Sequence, residues 1–92
     1  MRKHNQAFGK ALRELRKQKR LTQEKLGFEA GLDRTYISVL ELGQRSPTLD
    51  TLFSLCEVLD VSLVDLAVRT QARLDDMHDR DDAEGSPARI QD

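Results

Sequence analysis

Ninety-two residues, 38% of them apolar, allow one domain with one modest core and no large buried cavity. No window approaches the apolar length of a membrane span, and the opening MRKHNQ lacks the apolar run of a signal peptide, so a cytoplasmic protein is expected. The formal charge of -1 conceals a split: residues 1–47 hold eleven Lys/Arg against five Asp/Glu, and residues 48–92 hold four against eleven. One half can face phosphate while the other stays away from it.

Phe8, Ala11, Leu12 and Leu15 recur at i, i+3, i+4 and i+7, which predicts a first helix from about Gln6 to Gln18. Its other face carries Lys10, Arg13, Lys17 and Lys19, and His4 is left in a loose N-terminal segment. Thr22 is a suitable N-cap for a second helix, with Glu24 in the first turn, where the helix dipole favours an acid. Leu26 and Ala30 face inward, and Gly31 is placed to end this helix in the left-handed conformation. Gly27 and Gly31 are small residues where the second and third helices must cross. Glycine inside a helix costs about 1 kcal/mol relative to alanine, a cost that close backbone approach would justify.

Leu32 then packs down, Asp33 caps a third helix, Ile37 and Leu40 form its inward stripe, and Gly43 ends it. Residues 44–47 are a loop. Thr48 caps a fourth helix that runs to about Leu59, with Leu49, Leu52, Leu55, Cys56 and Leu59 as its inner face and Phe53 and Val58 off that stripe. Cys56 is the single cysteine and reads as a small buried hydrophobe rather than a reactive thiol.

Ser62 with Asp65 resembles a capping box that opens a fifth helix. Leu63 and Leu66 face inward there, leaving Val64, Ala67 and Val68 to be accounted for. From Thr70 the chain turns polar and acidic, with Leu74 and Met77 as its few large apolar residues. The expected division is a domain over residues 1–69 and an acidic tail over 70–92. The fifth helix is expected to continue for two or three turns before Gly85-Ser86-Pro87, and residues 85–92 to be mobile.

The expected fold is all-α, a compact five-helix bundle. Two short helices joined by a tight turn, the second with polar residues outward, suit a helix laid in the major groove of DNA. Arg34, Thr35, Ser38 and Val39 are the candidate base readers. Arg34 has the planar fork that pairs with guanine, Thr35 can bond a base edge, and Val39 can pack on a thymine methyl. Gln23 sits at a helix N-terminus, which receives phosphate readily. Tyr36 suits phosphate or sugar, and Gln44 and Arg45 can clamp the flanking backbone. Arg2, Lys3 and Lys10 are further electrostatic candidates. His4 and His78 have no Cys or His nearby at ligand spacing, so no metal or other cofactor is expected. No glycine-rich phosphate loop and no Ser/His/Asp set on a common rigid surface occurs, so an enzyme is not expected either.

The segment from about Phe8 to Leu66 closely resembles the lambda-repressor-like, or Xre-type, helix-turn-helix family. The matching pieces are Leu12-Arg13, Arg16, Leu21-Thr22-Gln23-Glu24, Leu26, Gly31-Leu32, Ile37, Leu40-Glu41, Gly43, Ser46-Pro47-Thr48-Leu49 and Leu59-Asp60-Val61-Ser62-Leu63. The resemblance implies a five-helix domain that binds operator DNA, usually as a homodimer. It places Gln23 on an orienting glutamine, Arg34, Thr35, Ser38 and Val39 on variable base-facing positions, and Arg16 with Glu41 on an ion pair between the first and third helices. Two positions depart from the pattern. Gly27 stands where alanine is usual, and Leu42 stands where a polar residue commonly precedes the glycine. The run from Leu32 to Ser38 also looks like the recognition helix of restriction–modification controller proteins.

Phe53, Val64 and Val68 remain after the core is filled, which points to a homodimer through the fifth helix and the edge of the fourth. Two recognition helices would then stand about 34 Å apart, at successive major grooves. The alternative is a protein-binding module on the same fold, such as an antitoxin, with the acidic tail taking a protein partner through Leu74 and Met77.

Overall fold

Among the described residues, side-chain caps start four of the five helices. Thr22 Oγ1 accepts from the Lys25 amide at 3.0 Å and opens α2 (Gln23–Ala30). Asp33 Oδ1 accepts from the Thr35 amide at 3.2 Å and opens α3 (Arg34–Glu41). Thr48 Oγ1 accepts from the Thr51 amide at 3.1 Å and opens α4 (Leu49–Leu59). Ser62 and Asp65 cap each other reciprocally, at 2.9 and 3.4 Å, at the start of α5 (Leu63–Ala83). Only α1 (Lys3–Gln18) starts without a side-chain cap. These elements come from a computed structural model that describes residues 2–83, and it contains five helices and no strand among the described residues. The expected stop at Gly85-Ser86-Pro87 and the expected mobility of residues 85–92 lie outside the described residues.

α1 is the central element. It packs against α3 on one side and against α5 on the other, while α2 packs on α3 and α4. Leu12, Leu26, Ile37, Leu40, Leu55, Leu59 and Leu66 are the largest fully buried side chains. Each contributes roughly 1.5–3 kcal/mol by leaving water. Cys56 joins this core, and burial raises its thiol pKa above the usual value, with the Asp65 carboxylate adding to the effect. The thiol therefore stays protonated and unreactive near neutral pH.

Two expectations need correction. α1 begins at Lys3 rather than near Gln6, so His4 is helical and not in a loose segment. The extra turn is held by tertiary contacts: Asn5 is buried and its Oδ1 accepts from Ser46 Oγ at 3.1 Å. Leu49 is 62% exposed rather than on the inner face of α4, because it is the first residue of that helix and lies beyond the core. The fifth helix continues beyond Thr70 as expected, to Ala83, and lies antiparallel on α1. Arg69 Nη2 donates to Gln18 Oε1 at 3.3 Å, Arg73 pairs with Glu14 at 3.4 Å, and Leu74 and Met77 are half-buried.

A polar network ties the helix-turn-helix unit to α1. Arg16 Nε and Nη2 donate to the two carboxylate oxygens of Glu41 at 2.6 and 3.0 Å. Arg16 Nη1 donates to the Leu21 carbonyl at 2.9 Å, and Gln23 Nε2 donates to Glu41 Oε1 at 3.0 Å. The two charged side chains are only 10% and 5% exposed. The ion pair expected between the first and third helices is therefore formed, in the two-pronged geometry that suits arginine and a carboxylate.

About two turns earlier on the same face of α1, the backbones themselves meet. A Cβ on Gly9 would stand 2.4 Å from the Glu41 carbonyl oxygen and 2.6 Å from that of Leu40. No side chain fits there.

Glu41→Ala should destabilise the fold by about 3–5 kcal/mol in denaturant titration, since it leaves the Arg16 guanidinium buried and unpaired. A loss below about 1 kcal/mol would mean that water reaches the guanidinium freely. Gly9→Ala should cost about 1–3 kcal/mol through overpacking. An unchanged melting midpoint for that variant would show that α1 and α3 can part without penalty.

Candidate nucleic-acid interface

The turn between α2 and α3 depends on two glycines with different tasks. Gly27 is buried at the crossing, where a Cβ would lie 2.7 Å from the Leu32 carbonyl oxygen and 3.4 Å from the Arg34 amide nitrogen. Close approach is its reason, and it explains why the alanine usual in the family does not stand here. Gly31 has nothing within 4 Å of its missing Cβ but a φ of 72°. Its task is conformational: it ends α2 so that Leu32 can turn back onto the core.

α3 is thereby laid across α2 with Ile37 and Leu40 fully buried beneath it. The helical repeat puts Thr35, Ser38 and Val39 on the opposite arc, with Arg34 at its edge. Arg34 and Thr35 are exposed, and Ser38 and Val39 are half-buried. Tyr36 lies on the flank of α3, half-buried and packed against the core, so much of its ring is committed inward.

Gln23 sits in the first turn of α2, beside the unpaired amides of that helix end. Its side chain is not free: one N–H is held by Glu41. The amide oxygen and the second N–H remain for a ligand. The ion-pair network thus reaches a candidate contact and orients it.

After α3, Gln44 and Arg45 are exposed on a loop fastened on both sides. The Gln44 amide donates to the Val39 carbonyl at 3.1 Å, and Ser46 donates to Asn5. Between them, Gly43 presses on Gln6, where a Cβ would meet the Gln6 Cα at 2.8 Å. Three elements are therefore brought to one edge: the start of α2, the outer arc of α3 and the loop that follows it.

Phe53, Val64 and Val68 lie apart from this edge, 55%, 70% and 62% exposed. Phe53 borders a concavity of about 720 Å³ between α4 and the start of α5. The candidate site residues therefore divide into two groups on different elements.

Sequence reading overlooked Gly9 and Phe28, and it marked Leu42 only as a departure from the family pattern. Gly9 carries no periodic or motif signal, because its task is set by a distant helix. Leu42 is 58% exposed at the end of the outer arc of α3. Phe28 is 80% exposed on α2, and nothing in the structure explains it. Among the described residues no group of His, Cys, Asp or Glu could hold a metal ion, and no helix is long and apolar enough to cross a membrane.

Residues 12–66 match the sequence profile of the helix-turn-helix family HTH_3. The chain is 45% identical over 56 residues to the HTH-type transcriptional regulator y4dJ of Sinorhizobium fredii, a match covering 61% of this chain and 73% of that one. In structure it is similar to the clp gene regulator ClgR from Corynebacterium glutamicum, with a TM-score of 0.84, 26% identity, and coverage of 88% of this chain and 86% of the other. It is also similar to the restriction–modification controller protein C.AhdI from Aeromonas hydrophila, with a TM-score of 0.66, 44% identity, and coverage of 67% and 94%. The profile spans more than half of the chain and includes every part of the α2–α3 unit. The chain belongs to the Xre-type helix-turn-helix family of transcriptional regulators.

Proposed function

We propose that the protein is a sequence-specific DNA-binding regulator that inserts α3 into the major groove and acts as a homodimer on a two-fold operator. The observation that carries this reading is the shared edge formed by the α2 N-terminus, the outer arc of α3 and the fastened Gln44–Arg45 loop. Arg34, Thr35, Ser38 and Val39 read base edges, Arg34 with its guanidinium on guanine. Gln23, Tyr36, Gln44 and Arg45 hold phosphate and sugar on either side, which fixes the register of α3 in the groove. Arg16 and Glu41 act from behind by orienting Gln23 and seating α3.

Dimerisation uses the exposed Phe53, Val64 and Val68. The described part of α5 lies on α1 and leaves these side chains uncovered, which supports a second copy as their cover. The similarity to C.AhdI favours the restriction–modification controller class as the narrower role. An antitoxin-like role through the tail is less favoured. Leu74 and Met77, its apolar anchors, are half-buried, and Leu74 lines a cleft with Phe8 of the same chain.

Selection of bound duplexes from a random pool tests the reading. The expected product is a palindrome whose half-sites are centred about 34 Å apart. Recovery of no sequence preference would remove the base-reading role of α3. On the selected operator, Arg34→Ala should cost about 1–3 kcal/mol, with little loss on random duplex. Arg45→Ala should weaken both equally and lower the salt slope by about one. Equal losses on every sequence for both variants would contradict this division between reader and clamp. Sedimentation at micromolar concentration should give a dimer for the wild type and a monomer for Val64→Asp. A wild-type monomer would exclude the proposed interface.

A further inference from the structure

A cleft of about 470 Å³ opens where the start of α1, the loop after α3, α4 and α5 meet. Small-molecule sites commonly enclose roughly 300–1,000 Å³. Phe8, Leu52, Leu63, Leu66 and Leu74 supply its apolar lining. Ala67, which neither the core nor the proposed dimer face claims, leaves room between them. Leu63 and Leu74 stand eleven positions apart on α5, roughly 16 Å at 1.5 Å per residue, so the apolar lining runs lengthwise and suits a chain.

The polar end of the cleft is built by α1. Asn5 is only 9% exposed and lines the cleft. Its Oδ1 accepts from Ser46 Oγ, while its Nδ2 has no partner among the described residues. A buried amide N–H without an acceptor is costly and calls for one. His4, beside it, is a second polar side chain with no such partner. Thr70 and Gln71, further along, already donate within α5. α1 also starts without a side-chain cap and without an acid in its first turn, so no group of that turn offsets the positive end of the helix dipole. Residues 48–92 are rich in acids, yet no Asp or Glu lines the cleft. An anion would meet donors at one end and no carboxylate in the lining.

We propose that this cleft binds a medium-chain aliphatic carboxylic acid, with its carboxylate on Asn5 Nδ2 and His4 and its chain along Leu63, Leu66, Ala67 and Leu74. Asn5 then uses both ends of its amide, Nδ2 on the acid and Oδ1 on Ser46. Ser46 directly follows Arg45 in the loop after α3. The acid thus holds Asn5 in the orientation that fastens this loop, and acid and DNA strengthen each other's binding. That coupling rests on the DNA-binding reading of the α2–α3 edge, whereas the site itself does not.

The test titrates decanoate, below its micellar concentration, into the full chain and into two variants by calorimetry. Ala67→Phe fills the cleft from an exposed helical position. Asn5→Asp keeps an acceptor for Ser46 but exchanges the N–H groups for a second oxygen. Circular dichroism confirms that both variants are folded. The wild type should bind decanoate saturably, each variant roughly tenfold or more weakly, and decanol more weakly than decanoate. A wild type that binds no decanoate, or no more tightly than Ala67→Phe, would overturn the proposal. Decanol that matches decanoate, or an Asn5→Asp variant that matches the wild type, would overturn the carboxylate assignment. Saturating decanoate should also raise wild-type affinity for the selected operator about fivefold and leave that of Ala67→Phe unchanged. An unchanged or lower wild-type affinity would overturn the coupling. Protein that binds decanoate but no duplex would remove the DNA-binding reading and leave the site in place.

Discussion

The contact on which the interface depends is the pair formed by Arg16 and Glu41. Both charges are almost withdrawn from water, which is costly unless every polar atom finds a partner. Here the guanidinium uses three of its N–H groups, two on the carboxylate and one on the Leu21 carbonyl, and the carboxylate accepts a further bond from Gln23. Four places in the chain are thereby held at once: α1, the connection after it, the first turn of α2 and the last residue of α3. An apolar pair of equal volume could fill this space, but it would not fix the angle between these elements so sharply. The directional bonds confine the α2–α3 unit to one seat on α1. Gly9 fixes the same seat about two turns earlier on the same face of α1, because nothing larger than hydrogen can stand between α1 and the carbonyls that end α3.

The helix starts were largely legible because they obey local rules. Thr22, Asp33, Thr48 and the Ser62–Asp65 box cap the helices that follow them, each through a side chain within three residues of the amide it satisfies. The inward stripes of α1 and α3 were legible for the same reason: Phe8, Leu12, Leu15, Ile37 and Leu40 follow the helical repeat and are buried. What escaped is set by residues far away in the chain. The extra turn of α1 depends on Asn5 meeting Ser46, forty-one positions later. The need for glycine at position 9 comes from Glu41. Leu49 fitted the stripe of α4, yet periodicity does not say where a core ends.

At the interface, periodicity could tell which residues of α3 point away from the core, and the family resemblance could pair Arg16 with Glu41. Neither could show that Gln23 belongs to the same network. That bond joins an outward-looking residue to an inward one, and it exists only once α1 has placed the carboxylate. The tail is a similar case. Composition marks a change at Thr70, but Arg69 and Arg73 find partners on α1 and keep the helix on the body of the domain.

The central position of α1 has a consequence for how such a protein can change. α3 lies on one side of it and α5 on the other, and the residues that face outward from these two helices are disjoint sets. Substitutions at Thr35 or Ser38 alter one outward surface without disturbing Val64 or Val68, and the reverse holds equally. In the proposed dimer, the letters of the operator and the distance between its halves are therefore inherited as separate traits. The element between them has no such freedom. One residue inserted in α1 would rotate everything after it by about 100°, breaking its register with both neighbours at once. Variation is thus admitted at the two faces of the domain and refused along its axis.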